Sequence, residues 1–228
     1  PMYFYLDTAR LGKYTFTEVI TKCAPGDKME FSLSIDSLKK MGMIEFNEVF
    51  KTGDFINGKL EVIASFAKED LVKADYEKEV EKEKATEIAQ VKKYAESKNM
   101  KTVSTKSGAL VEVTNPGTGQ KADSGYQVSV MYRGYFADKD GKEFDANIGK
   151  PAPGNNPIDV VIGQHSVIPG WEEGLTFFAK GGKGRIVVPS FLGYGPQGRA
   201  PAIAPFANLC FDVEIVDVKL APPPPQAQ

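Results

Sequence analysis

Cysteine and histidine are almost missing from this chain of 228 residues, which carries two cysteines, one histidine and one tryptophan. Cys23 and Cys210 stand far apart, with no CxxC and no zinc-ligand spacing, so the pattern is neither a disulfide scaffold nor a zinc module. Two readings of the pair stand: two unpaired thiols, or one disulfide between domains. A Ser-His-Asp triad or a His-rich metal site has only His165 to build on. That residue lies between Gln164 and Ser166 in an expected loop, and we read it as an exposed bystander. No apolar stretch approaches the length of a membrane-spanning helix. The formal net charge of -2 gives no basic field with which to attract nucleic acid or an anionic membrane. The chain opens on Pro1 with no signal-peptide pattern. We expect it to have been processed or trimmed, its targeting information gone with the missing segment.

What is present suits a globular chain with a sizeable core, since 42% of residues are apolar and 25% charged. Four zones separate by composition. Residues 1–66 read mainly as strands, at Met2 to Leu6, Met29 to Ile35 and Gly58 to Phe66. Residues 67–104 begin with a long run free of glycine and proline, rich in helix formers and in Glu/Lys pairs at helical spacing. Its apolar positions Leu71, Val80, Ile88 and Val91 are sparse, which predicts a largely solvated connecting helix. That helix is either a spacer or a dimerising element. Residues 105–219 return to β patterning, and residues 220–228 close the chain with the extended proline run Pro222 to Pro225.

Within the third zone, Val128, Val130 and Tyr132 alternate with polar neighbours, as do Leu209, Phe211, Val213 and Ile215. Asp140-Gly141 predicts a tight turn before Phe144. Trp171, Leu175 and Phe178 are spaced as one short helix, which its internal Gly170 and Gly174 make poor by propensity. An antiparallel sheet with one short helix on a single face is an α+β layout. Two glycine-rich stretches are decoys. Gly193 to Gly198 fits GxGxxG, but Pro196, Pro201 and Pro205 forbid the helix a dinucleotide site needs. Lys180 to Gly184 lacks the P-loop spacing and reads as a turn between helix and strand. The first zone also resembles part of the third. Pro1 to Leu6 lies on Pro157 to Ile162, and Gly26 to Phe31 on Gly181 to Ile186, after a one-residue gap. This is either a partial internal repeat or chance similarity between β segments.

Tyr132, Phe144, Val167, Ile168, Trp171, Tyr194, Ile203 and Phe211 are more large apolar residues than one small core readily absorbs. They form either an ordinary core or a binding pocket, and two features pull toward the pocket. Asp145 directly follows Phe144 at a strand end, and Tyr194 sits in a Gly/Pro-rich loop, a place for binding rather than packing.

Val167-Ile168-Pro169-Gly170-Trp171-Glu172-Glu173-Gly174 resembles the V-I-x-G-W-E-x-G signature of FKBP-type peptidyl-prolyl isomerases. Tyr132 to Tyr135, Asp140 to Asp145, Tyr194-Gly195 and Leu209 to Glu214 agree with that family in order. The resemblance implies an antiparallel sheet of five or six strands wrapped around the short helix, preceded by the linking helix and a partial, degenerate β-rich copy. It implies that Trp171 floors the pocket, that Tyr132, Phe144, Val167, Ile168 and Phe211 wall it, and that Ile203 lies on its rim. Tyr194 and the Ile168 N–H would meet the carbonyls of a bound peptide, with Asp145 beside the twisting amide. Asp145, Tyr194, Trp171, Ile168 and Phe211 are thereby assigned to catalysis. Tyr132, Phe144, Ile158, Val167 and Ile203 are assigned to substrate binding, with no metal and no cofactor. Ile158 stands where the family often has phenylalanine. The stretch Ala146 to Pro157 looks longer than usual, and Arg199 and Ala202 replace a frequent histidine and branched aliphatic residue. These departures bear on macrolide affinity and on preference for the residue before proline.

Tyr94 to Gly119 resembles the helix-to-domain junction of bacterial envelope members, including the macrophage-infectivity-potentiator type. That likeness implies an extracytoplasmic protein, in the periplasm or cell envelope, which isomerises X–Pro bonds to assist folding. Its implied partners are proline-containing polypeptides and macrolides, with a homodimer through the N-terminal region and helix. The alternatives are a non-catalytic peptide-binding chaperone or assembly module on the same fold, and a cytoplasmic location.

Overall fold

The computed structural model describes residue 3, residues 20–151 and residues 153–222. The strand expected at Met2 to Leu6, apart from Tyr3, and the proline tail beyond Pro222 lie outside the described residues. The chain divides into two compact units, one ending at Glu79 and the other beginning at Val80.

In the first unit, strand β1 (Lys28–Ser34) pairs antiparallel with β2 (Phe55–Glu61), in register from Lys28 opposite Glu61 to Ser34 opposite Phe55. Met29, Phe31 and Leu33 are half-buried while Lys28, Glu30 and Ser32 are exposed, the alternation a one-sided strand requires. β2 begins earlier than its sequence suggested because Phe55 to Asn57 extend the ladder opposite Ser34 to Ser32. Helix α1 (Ile35–Lys40) lies between the strands, capped by Ser34 Oγ accepting from the Ser37 N–H at 3.4 Å, and it buries Ile35 and Leu38.

Helix α2 (Glu69–Ser97) runs across the boundary between units. Its first turns are charged and exposed, with Leu71 at the surface and Val80 and Ile88 half-buried. Its later turns depart from the solvated helix read from sequence, because Glu87, Val91, Tyr94 and Ala95 are buried. The buried apolar positions are confined to its last turns, where the helix packs against a surface of strands.

That surface belongs to the second unit, whose strands are β3 (Val103–Ser104), β4 (Leu110–Asn115), β5 (Thr118–Lys121), β6 (Tyr126–Phe136), β7 (Glu143–Ala146), β8 (Ile158–Val161), β9 (Ala179–Lys180), β10 (Lys183–Val188) and β11 (Leu209–Leu220). The main sheet is antiparallel, in the order β3-β4-β10-β11-β6-β7, and β8 also pairs with β6. β7 takes the end of β6 at Arg133 to Tyr135 and β8 takes Gln127 to Val130. Seven strands therefore fill six positions. Helix α3 (Pro169–Leu175) lies on one face, where Trp171, Leu175 and Phe178 pack with Val111, Val130, Ile186, Val188, Leu209 and Val213. The alternate residues Leu110, Val187 and Cys210 face the other way and form a second core with Val91, Tyr94, Ala95 and Met100. The sheet is thus covered on both faces. Cys210 is completely buried, its thiol pushed up from 9.0 to about 11 by burial, with no disulfide among the described residues.

Two glycines explain how so poor a helix is held. A Cβ at Gly170 would lie 2.5 Å from Val188 Cγ1, and one at Gly174 2.7 Å from Ile186 Cγ2. Their absence lets the α3 backbone rest directly on β10, and Pro169 at the first helical position costs no hydrogen bond.

Candidate active site

The contact between α3 and the sheet sets the floor of the site. Trp171, in the first turn of α3, is 4% exposed. Its indole meets Tyr132 of β6 edge-on at 5.3 Å and 89°, and Phe211 of β11 at 5.3 Å and 67°. Phe144 of β7 meets Phe211 at 5.7 Å and 88°. These edge-to-face arrangements suit the aromatic quadrupoles and fix the rings relative to one another. Gly134 makes the room, since a Cβ there would lie 2.7 Å from Phe144 Cζ and 2.9 Å from Phe211 Cε1.

Ile158, Val167, Ile168 and Tyr194 are half-buried against this same core, and Ile203 is buried within it. All nine apolar residues singled out from the sequence therefore converge, with Trp171, Phe211 and Ile203 below and the others partly open to solvent. The indole Nε1–H of Trp171 is buried without an acceptor among the described residues, a kind of exception that asks for an explanation.

Polar groups gather at one side. The Tyr132 hydroxyl donates to Asp145 Oδ2 at 2.5 Å, and Lys150 Nζ stands 3.5 Å from Asp145 Oδ1. Burial, then the hydrogen bond to Asp145, holds the Tyr132 phenol well above its ordinary range, so it remains a proton donor. Asn147 is buried beneath the pair. Its Oδ1 accepts from the Tyr132 N–H at 2.5 Å, while its Nδ2 donates to the Val130 and Asn156 carbonyls at 3.2 and 3.0 Å. Opposite, the Tyr194 hydroxyl has one hydrogen-bond partner among the described residues, Arg199 Nη1 at 3.5 Å, and Arg199 lies over the Tyr194 ring at 5.9 Å. The Ile168 N–H, at the N-cap of α3, donates to no group among the described residues.

The loop carrying Val167 and Ile168 is pinned by Glu172. This buried carboxylate accepts from the Gly163 N–H at 2.5 Å and the His165 N–H at 3.3 Å, and it lies 2.9 Å from His165 Nδ1. His165 is exposed, as its surroundings in sequence predict, but it is a partner of Glu172 rather than a bystander. Asn147 and Glu172 escaped the sequence reading as supports of the site. A lone Asn in a Gly/Pro/Asn-rich loop carries no signal, whereas Glu172 lay within the signature itself.

A separate hollow of about 410 Å³ opens on the opposite side of β10 and β11, lined by Arg133, Lys183, Arg185, Asp212 and Glu214 among others. It contains none of the aromatic group. Its cations are already paired, Arg133 with Glu143 at 3.3 Å, Lys183 with Glu214 at 2.9 Å and Arg185 with Glu112 at 2.7 Å.

Comparison with known proteins agrees with this geometry. Residues 118–216 match the family described as FKBP-type peptidyl-prolyl cis-trans isomerase. The chain is 39% identical over 155 residues to the FKBP-type peptidyl-prolyl cis-trans isomerase FkpA of Escherichia coli strain K12, covering 66% of this chain and 53% of that one. It is 34% identical over 189 residues to a probable FKBP-type peptidyl-prolyl cis-trans isomerase of Haemophilus influenzae, covering 81% of this chain and 71% of that one. The crystal structure of FkpA from Escherichia coli matches with a TM-score of 0.51 at 36% identity, over 68% of this chain and 69% of that one. The aligned part spans about half the length of the Escherichia coli relative. A glycine-seated helix whose indole packs among the rings of three strands accompanies likeness along most of a relative's length: the chain belongs to the FKBP-type peptidyl-prolyl cis-trans isomerase family.

Proposed function

We propose that residues 105–219 catalyse cis/trans isomerisation of X–Pro bonds. The observation that carries this is the cluster of Trp171, Tyr132, Phe144 and Phe211 with Asp145 tethered at its edge. The reaction breaks no covalent bond. Its barrier, about 18–20 kcal/mol, is the loss of amide resonance on twisting. A twisted amide is less polar across C–N than a planar one, so apolar walls that exclude water favour it over the ground state. In this reading the prolyl ring rests on Trp171 between Tyr132, Phe144, Val167, Ile168 and Phe211, with Ile158 and Ile203 at the edges. The Ile168 N–H and Tyr194 hydroxyl receive the peptide carbonyls, and Asp145, held by Tyr132, faces the turning bond. The test is a protease-coupled or NMR exchange assay of the full chain on an X–Pro peptide, with a macrolide as competitor. Acceleration that the macrolide suppresses is the expected outcome. A folded protein with no effect on the exchange rate leaves the clamp-like, non-catalytic chaperone in its place.

We further propose that the first unit is a partial, degenerate copy of the isomerase fold with an assembly or chaperone role. Its hairpin repeats the internal bonding of β10 and β11. Lys28 pairs with Glu61 at 3.4 Å as Lys183 does with Glu214 at 2.9 Å. The Gly26 N–H donates to Val62 O at 2.6 Å as the Gly181 N–H does to Ile215 O at 2.8 Å. The Cys23 N–H donates to Ile20 O at 3.1 Å as the Phe178 N–H does to Leu175 O at 3.1 Å. In the register of these hairpins, Phe31 opposite Gly58 takes the place of Ile186 opposite Phe211, so the pocket ring is absent. An extracytoplasmic location, proline-containing client polypeptides and a homodimer through the N-terminal region complete the proposal, on the likeness of residues 94–119 to envelope members.

A further inference from the structure

Glu87 of α2 lies outside the residues that match the family and is 7% exposed. Its carboxylate takes two hydrogen bonds from the single 3-10 turn Ser190–Leu192, from Ser190 Oγ at 2.7 Å and from the Phe191 N–H at 3.0 Å. Among the described residues no cation pairs with it, so neutral donors alone hold a buried carboxylate. One helical turn on, Gln90 Oε1 accepts from Asn208 Nδ2 at 2.9 Å, and Asn208 Oδ1 accepts from the Ser190 N–H at 2.9 Å. The backbone donors that open the 3-10 turn are therefore satisfied by side chains: Ser190 by Asn208, and Phe191 by Glu87.

This turn ends at Gly193, and the next residue is Tyr194. Asn208 immediately precedes Leu209, the first residue of the strand that carries Phe211. Helix α2 thus grips both ends of the segment that presents the phenol. The turn's own bonds are few, from Leu192 N–H to Pro189 O at 3.0 Å and from Gly193 N–H to Ser190 O at 2.8 Å. Without Glu87 the Ser190 hydroxyl and the Phe191 N–H would have to turn toward other acceptors, and a rotation at 190–191 is carried directly to residue 194. We infer that Glu87 is a positioning residue for Tyr194, which makes the helix before the isomerase domain part of its catalytic apparatus. The inference rests on the isomerase reading.

The experiment compares kcat/KM of the full chain on an X–Pro peptide for Glu87→Ala, Glu87→Gln and Ser190→Ala, each also in a Tyr194→Phe background. Glu87→Ala is expected to lower kcat/KM by no more than loss of the phenol itself does, about two- to tenfold. Glu87→Gln, which keeps an acceptor oxygen and adds a donor for Ser190 Oγ, recovers most of that, and Ser190→Ala loses less than Glu87→Ala. In the Tyr194→Phe background Glu87→Ala loses little more, because its effect passes through the phenol. If Glu87→Ala does not fold, Glu87→Gln and Ser190→Ala carry the same comparison. Unchanged kcat/KM in the folded variants, or an equal loss with and without the phenol, overturns the inference. A wild-type chain that accelerates no X–Pro peptide overturns the isomerase reading itself.

Discussion

Trp171 and Tyr194 contribute on different scales of energy. Tyr194 offers one hydroxyl, and a single neutral hydrogen bond contributes about 0.5–1.5 kcal/mol, so Tyr194→Phe should slow turnover about two- to tenfold. Trp171 is the shared neighbour of Tyr132 and Phe211. Trp171→Ala should destabilise the fold by about 3–5 kcal/mol and abolish activity, as read by urea unfolding alongside the isomerase assay. A thousandfold loss in Tyr194→Phe would point to proton-transfer chemistry instead of shared apolar stabilisation. At this scale the sequence was informative wherever a residue type is rare or out of place. The sole tryptophan and a Tyr in a Gly/Pro loop pack in one core, and an Asp at a strand end accepts a hydrogen bond from Tyr132 at its edge. Asn147 and Glu87 gave no such sign, because a buried polar residue looks like a surface one until its donors and acceptors are known.

Helix α2 is where patterning and structure part company. Read alone, its apolar residues are too few for a buried face, yet Val91, Tyr94 and Ala95 close the outer face of the sheet over Val187 and Cys210. The dilution arises because the buried apolar residues are confined to the last turns of the helix, so the average over its whole length hides them. Removing those turns uncovers the second core. At about 1.5–3 kcal/mol for each large side chain, a chain beginning at residue 100 should be less stable than one beginning at residue 80 by about 3–6 kcal/mol. Comparing their denaturant midpoints checks this, and equal midpoints would mean that the helix adds nothing to the fold. Helix α3 shows the reverse case. Its glycines weaken it locally, and the same glycines signal a close approach that only Val188 and Ile186 could reveal. The strands were the most legible elements, because alternation specifies both a face and a register.

The whole molecule carries one tryptophan, and it lies in the second unit. Tryptophan fluorescence therefore follows that unit alone, while far-UV circular dichroism follows both. We expect the two denaturation curves to separate, with part of the dichroism change outside the fluorescence transition; coincident curves would show that the units unfold together. The sequence shows a change of composition around residue 67, whereas the compact units divide between Glu79 and Val80, within α2, because that boundary depends on tertiary contact. The hairpin pair has a consequence of its own. Both hairpins carry one aromatic ring at the matching cross-strand position, but on opposite strands, Phe31 in one and Phe211 in the other. A Cβ at Gly58 would stand 2.2 Å from the Phe31 ring. A side chain at position 58 would have to displace the tip of the Phe31 ring, so converting one hairpin into the other calls on both positions of the pair.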